Sequence, residues 1–404
     1  MRTFLIILIV LAVLIAAAGL WLFSSTPESA VPVRFPLSNA NVALLRRVPA
    51  SAEAFALIPS AALLHAKLLA NPVTREPIAT WSEEHELPRP WMLGGAHIVA
   101  WKSGKTTSYA VQLDALRALL VRAWLLVASN ATVRWEGSTL IMNDPEPSAE
   151  KVALEDVLRL ATRLPEGDIF VVQREGSRGA FPPIARPAVT SVRVTPAEIL
   201  LVSRAASTDV AIERRIEPRY PRGAMLAASF AAPPRILGDF NRLLGARIDI
   251  LVDDGGSVAL YDIETGTLLP RPRGVLAIPA DEAARGEMGD VRQAAELVGE
   301  VRDTGDQILV SFDRTSMGLY IKDTFVPASW PATRWAVRFD PARLVPVLER
   351  VSDNPALRFA TPRIHRGARD LRRWMRALEQ AEAVEAADSV ASGVEELRVR
   401  VASK

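Results

Sequence analysis

The chain has 404 residues, 49% apolar and 23% charged, with 48 basic against 46 acidic side chains. That balance excludes a disordered chain and a nucleic-acid binder that works by bulk charge, and it leaves room for about two domains of ordinary size. With no cysteine, a disulfide, a thiolate metal site, a thiol nucleophile and a lipid-modified N-terminal cysteine are excluded as well.

Phe4 to Phe23 carries no charged or strongly polar side chain. As a helix this run reaches roughly 30 Å, the hydrocarbon thickness of a bilayer. Trp21 and Phe23 suit the headgroup level as membrane-interface anchors, and Pro27 ends the helix. A cleaved signal peptide with Ala16-Ala17-Ala18 at its end is the competing reading. It would leave Gly19 to Phe23 as an oily new terminus, so an uncleaved signal anchor over 1–23 is favoured. Arg2 on the short side and Glu28 and Arg34 on the other favour export of everything that follows. Arginine strongly displacing lysine points to a GC-rich bacterial genome. The expected location is therefore a bacterial inner membrane, spanned once, with the bulk on the periplasmic side.

Residues 24–41 read as an extended tether. A charged, proline-punctuated break at 207–221 separates two modules, expected at 42–206 and 222–404. One pattern recurs within them: an alternating strand, then Pro or Asp, then an amphipathic helix. Ala54–Ile58 leads through Pro59 to Leu63, Leu64 and Leu68. Tyr109, Val111 and Leu113 lead through Asp114 to Leu116, Leu120 and Val127. Met225–Phe230 leads through Pro233-Pro234 to Ile236, Leu237, Phe240, Leu243 and Leu244. Trp335, Val337 and Phe339 lead through Asp340-Pro341 to Leu344, Val347, Leu348 and Val351, with Pro346 expected to kink or shorten that helix.

Hairpins are expected around 102–105, around Asp253-Asp254-Gly255-Gly256, and around 313–316 between strands 308–312 and 317–321. Leu397, Val399 and Val401 alternate with Arg398 and Arg400 as an edge or half-exposed strand. The fold expected is α+β: two similar tandem modules of mainly antiparallel sheet packed against amphipathic helices, preceded by one transmembrane helix.

Two segments carry a resemblance. Leu45-Arg46-Arg47-Val48-Pro49-Ala50-Ser51-Ala52-Glu53-Ala54-Phe55 after an N-terminal anchor resembles the opening of a loose group of bacterial membrane-anchored envelope proteins. Leu158-Arg159-Leu160-Ala161-Thr162-Arg163-Leu164-Pro165-Glu166-Gly167-Asp168-Ile169-Phe170 resembles their mid-chain segment. They are catalogued as domains of unknown function. The resemblance, one of layout, implies a duplicated envelope module and transfers no activity and no catalytic residue.

The motifs that could carry chemistry each have a plainer reading. Lys102-Ser103-Gly104-Lys105-Thr106 ends like a phosphate loop, but Val99 replaces the first glycine and a strand follows where a helix is needed. Ser148-Ala149-Glu150-Lys151 has serine–lysine acyl-transfer spacing without companion motifs, and Ser148 reads as a helix cap. His85 in Glu83-Glu84-His85-Glu86 would need a second histidine at Arg89 to hold zinc. His65, His97 and His365 stand singly. Asp253, Asp254, Asp262 and Glu264 match no cation loop. Accordingly no catalytic residue, no cofactor and no metal ligand is assigned.

Arg366, Arg369, Arg373 and Arg376 line one face of a helix, with Leu371, Trp374, Met375 and Leu378 on another. This stripe is the candidate contact for anionic lipid or an acidic partner, against solvated charges as the plainer account. Beyond it Glu379, Glu382, Glu385 and Asp388 reverse the sign, which weakens long-range attraction. The function expected is that of a non-enzymatic binding or scaffolding protein of the envelope. Its partners would be the bilayer, through the N-terminal helix, and an envelope protein or lipid; nucleic acid is not among them. A periplasmic carrier or chaperone for lipid or unfolded protein, and a hydrolase whose residues meet only in three dimensions, are the rival readings.

Overall fold

The computed structural model describes residues 37, 39–84, 96–104, 106–128, 133–143, 152, 154–174, 188–206, 215–231, 255–265, 271–282, 285, 299–311, 313–355, 369, 372, 375–376, 378–391 and 394–404. The expected anchor, with Trp21 and Phe23, lies outside them, as do Ser148, Lys151, His85, His365 and the helix expected after Pro234. Among the described residues no helix is long and apolar enough to cross a membrane. The architecture is α+β and mostly antiparallel sheet. It divides into two units, Met1–Ala70 with Thr74–Thr195, and Asn71–Val73 with Pro196–Lys404.

In the first unit helix α1 (Asn39–Leu45) begins inside the stretch read as tether. Strand β1 (Ala54–Ile58) buries Phe55 and Leu57 on one face, as period-two alternation requires. Helices α2 (Ala61–Ala70) and α3 (Pro72–Glu84) follow it. Next come β2 (His97–Ser103), β3 (Thr106–Gln112), α4 (Ala115–Ala128), β4 (Val133–Glu136) and β5 (Thr139–Met142). Helix α5 (Glu155–Ala161), β6 (Ile169–Gln173) and β7 (Ala188–Val194) complete the unit. The strands run in the order β7-β6-β1-β2-β3-β5-β4. Asp114 caps α4 as expected, its Oδ1 accepting from Arg117 N at 2.9 Å. The helix sets Ala118 and Val121 against Val111, Leu113 and Leu140.

In the second unit β8 (Glu198–Ala206), β9 (Arg219–Pro221) and β10 (Leu226–Phe230) precede β11 (Gly256–Glu264) and β12 (Arg271–Pro279). Then follow β13 (Glu300–Asp303), β14 (Gln307–Ser311), α6 (Arg314–Lys322), β15 (Phe325–Pro327), β16 (Trp335–Phe339), α7 (Pro341–Asp353), β17 (Ala381–Ala391) and β18 (Val394–Ser403). The order is β13-β14-β12-β11-β10-β16-β17-β18-β8, with β9 and β15 as a separate pair. Helix α7 covers one sheet face, packing Leu344, Val345, Val347, Leu348 and Val351 on Met225, Leu226, Leu260 and Phe339. On the opposite face α6 sets Met317 and Tyr320 against Ala259, Val275 and Ala277, while the β9–β15 pair sets Tyr220 and Val326 over Ala227, Ala336 and Ala387.

Several expectations are corrected. Residues 317–321 form helix and not the second arm of a hairpin, because Asp313 caps α6 with Oδ1 accepting from Ser316 N at 2.8 Å. Buried Met317 and Tyr320 then fall three residues apart on the inner side of that helix. The stretch read as linker is partly built into the unit: β9 pairs with β15, and Tyr220 is buried. The second unit begins at Pro196 and not beyond 206, since β8 pairs with β18 from Glu198↔Ala402 to Ala206↔Val394. Of the two readings of β18, half-exposed holds and edge does not: most of its residues are half-buried, and β17 and β8 flank it on both sides.

Helix α7 is not shortened at Pro346. Its cap is the expected one, Asp340 Oδ1 accepting from Ala342 N at 3.0 Å with Pro341 in the first turn. Pro346 is exposed, so the carbonyl it leaves without an intrahelical donor is solvated. Pro346→Ala is expected to stabilise the protein by about 2 kcal/mol. That is most of the helix-interior preference of Ala over Pro, about 3 kcal/mol, since Pro346 stands only in the second turn of the helix, near the end where proline costs least. A rise in the urea midpoint at unchanged slope checks it.

Candidate functional site

Among the described residues of the second unit, a set of paired charged side chains lies on β8, β17 and β18 and on and just before β16. Registers Arg338↔Glu385, Glu385↔Arg400 and Arg204↔Glu396 bring opposite charges face to face across neighbouring strands. Glu396 accepts from Arg204 Nε at 2.7 Å on Oε2 and from Arg398 Nε at 2.6 Å on Oε1. Arg400 Nε donates to Glu198 Oε2 at 2.7 Å, and its Nη1 donates to Ser329 Oγ at 3.0 Å. Glu385 takes Arg338 Nη1 at 3.3 Å and Ser329 N at 3.2 Å.

On the other face of β17, Asp388 receives Arg334 Nε on Oδ2 at 2.8 Å, and Arg334 Nη2 also reaches Glu395 Oε1 at 2.7 Å. Backbone bonds fix that arginine: its amide donates to Asp388 O at 2.8 Å and its carbonyl accepts from Ala231 N at 2.6 Å. Five guanidinium groups thus meet five carboxylates, and the cluster carries no net charge.

Burial decides what these groups can do. Asp388 is 2% exposed, and desolvation pushes its carboxyl above the usual range despite the pull of Arg334. Burial acts on Glu396 the same way, but its two arginine partners outweigh it and hold the carboxyl low. Burial first, then the charge of Glu385, pushes the Tyr220 hydroxyl up. Each carboxylate is tied up by a guanidinium or an amide of a neighbouring strand or loop, so this arrangement joins strands and fixes their register.

In the first unit Asp168 works similarly. Its Oδ1 takes Lys67 Nζ from α2 at 2.6 Å, and its Oδ2 takes Val194 N from β7 at 2.8 Å. His97 faces Asn41 at 3.2 Å, and burial lowers its pKa.

The residues singled out in the sequence are not brought together. Gly104, at φ +59°, turns β2 into β3, and its amide donates to Glu53 Oε1 at 3.3 Å. Asp262 pairs with Arg350, and Glu264 pairs with Arg273 at 3.4 Å. Among the described residues no group of three or more His, Asp or Glu could hold a metal. Of the arginine stripe, Arg366 and Arg373 lie outside the described residues. Arg369 is exposed, and Arg376 donates to Glu349 on α7 at 2.6 Å, which holds its guanidinium firmly in the charged form. Glu382, Glu385 and Asp388 belong to strand β17, where a spacing of three alternates faces. The signal in the sequence for the ion-paired strands was the Arg398/Arg400 alternation; the partners on β8 and β16 are too distant in sequence to be read from it.

No family model and no curated protein matches the chain. Among solved structures, crystal form III of TP0453 is similar at 9% identity and a TM-score of 0.26, over 68% of this chain and 94% of that one. A likeness at that level carries no argument, and the strand order has to speak for itself.

Proposed function

We propose that this protein is a single-pass, membrane-anchored protein of the bacterial envelope. Its exported part would be a duplicated, non-enzymatic body for binding or scaffolding, grouped with the loose set of envelope proteins its layout resembles. The observation that carries the reading is strand order. The first unit runs β7-β6-β1-β2-β3-β5-β4, and eight strands of the second run β18-β17-β16-β10-β11-β12-β14-β13. Each strand from β1 to β7 has its counterpart at the same place in chain and sheet, from β10 to β17 with the short β15 set aside. Seven positions in the same permuted order favour duplication over chance.

The scaffolding part is supported by the use of buried charge. Asp168, Glu385, Asp388 and Glu396 are committed to cations and amides of neighbouring elements. The anchor rests on the Phe4–Phe23 run.

Expressed in a bacterial host, the full chain is expected in the membrane pellet, resistant to alkaline extraction and open to protease added to spheroplasts. Recovery of the full chain from the soluble cytosolic fraction would overturn the anchor. Turnover of a substrate by the purified chain would overturn the non-enzymatic body.

A further inference from the structure

Three of the five large apolar side chains exposed among the described residues fall within seven positions: Leu319 at 48%, Ile321 at 45% and Phe325 at 37%. Scattered single exposures are ordinary, whereas a cluster asks for an occupant. The stretch is held rigidly. Asp313 caps α6, Met317 and Tyr320 root it in the sheet, and the Phe325 ring meets Tyr320 edge-on at 5.1 Å. Leu319 and Ile321 flank the buried stripe on either side, and between them on the outer arc stand Gly318, Thr315, Arg314 and Lys322. A Cβ added at Gly318 would meet open space.

The surroundings are basic. Strand β9 lies antiparallel to β15, with Phe325 opposite Pro221 and Pro327 opposite Arg219, and Arg222 N donates to Thr324 O at 3.0 Å. Arg219, Arg222, Arg314 and Lys322 are all exposed, and none enters an ion pair among the described residues. Of the nearby acids, Asp323 is turned inward, accepting from Gly223 N at 2.9 Å and from Tyr261 Oη at 3.3 Å. Among the described residues of 215–231 and 313–328, Glu217 is the exposed acid.

We infer that α6 and the β9–β15 pair form an interfacial contact for an anionic lipid surface, into which Leu319, Ile321 and Phe325 dip while Arg219, Arg222, Arg314 and Lys322 meet headgroup phosphates. Charge complementarity selects this occupant. A protein-binding core would be depleted of charge, whereas here exposed basic side chains accompany the apolar ones, and apolar burial together with attraction of Lys and Arg to anionic lipid is what holds a peripheral surface at a bilayer. Each basic group near such a surface strengthens binding about fivefold at physiological salt, and less as salt rises. The contact is separate from the Phe4–Phe23 run and does not depend on it.

The absence of cysteine makes the test direct. Full-length Leu319→Cys, labelled with an environment-sensitive fluorophore, is mixed or reconstituted with phosphatidylcholine vesicles, with and without phosphatidylglycerol. Gln307→Cys, exposed on β14, serves as the reference. The expected result is a blue shift and quenching by a lipid-borne quencher at 319 only, in phosphatidylglycerol vesicles only. Both should be lost in high salt and in the triple variant Arg219→Ser, Arg222→Ser, Lys322→Ser. Indistinguishable spectra at 319 and 307 in every vesicle would overturn the contact, as would a 319 probe shielded without vesicles in a species of doubled mass, which would place a second copy there. Flotation scores the anchor independently. Attachment to neutral vesicles without a shift at 319 leaves the anchor and removes the contact; attachment confined to anionic vesicles with the shift does the reverse.

Discussion

Arg334→Met is expected to destabilise the second unit by about 3–5 kcal/mol, because it leaves Asp388 charged and buried with no guanidinium partner and strips Glu395 of the same cation. For a unit of this size the melting temperature should fall by about 6–20 °C. The double variant Arg334→Met, Asp388→Leu should recover most of the loss, since a buried pair replaced by apolar groups is often neutral.

The cost should depend on pH in a defined sense. The folded-state pKa of Asp388 lies above its ordinary 3.8, so this group's contribution to stability is fully present below that value and is lost as pH rises through the raised folded-state pKa. Without Arg334 the carboxyl rises further. The gap between parent and variant should therefore be wide at neutral pH and narrow as acid protonates Asp388. Glu396 works the other way: its pKa is held below 4.5, so its contribution is present above 4.5 and lost as pH falls through the lowered value. It is common to both proteins and cancels in the difference. Urea unfolding of the two proteins across the acid range checks the prediction, and a gap independent of pH would contradict it.

Leu348→Ala is expected to cost about 2–5 kcal/mol. Leu348 is buried on α7 in the cluster that joins Met225, Leu344, Val345, Val347, Val351 and Met375, with Leu260 and Phe339 beneath. Truncation opens a cavity that α7 can close only by shifting along most of its length. Leu319→Ala on α6 is the matched control: the side chain is nearly half exposed, and the change should stay within about 0.5 kcal/mol. The contrast separates an apolar residue that holds the fold from one that the fold presents to its surroundings.

Local chemistry was legible in the sequence wherever a short stretch settles its own conformation. Asp114 and Asp340 cap their helices, Gly104 turns its hairpin, and the stripe Leu344, Val347, Leu348 and Val351 packs inward. Residues 313–321 were misread because Asp313 serves equally as a turn residue and as a helix cap, and the choice rests on Met317 and Tyr320 finding Ala259 and Val275. The acidic residues of β17 gave no strand signal because their spacing of three fits neither a period of two nor one face of a sheet, and β16 and β18, which make the segment a strand, pair with it from either side.

The α+β class, the antiparallel pairing and the expected membrane-spanning run come from composition and periodicity, which act over a few neighbouring residues. Strand order, the interior place of β18, the Arg334–Asp388–Glu395 cluster and the joint exposure of apolar and basic side chains on α6 and β15 were decided by the tertiary structure alone. Each depends on which distant segments meet, and a pairing energy shared between residues such as Arg204 and Glu396 leaves no mark on either segment read by itself.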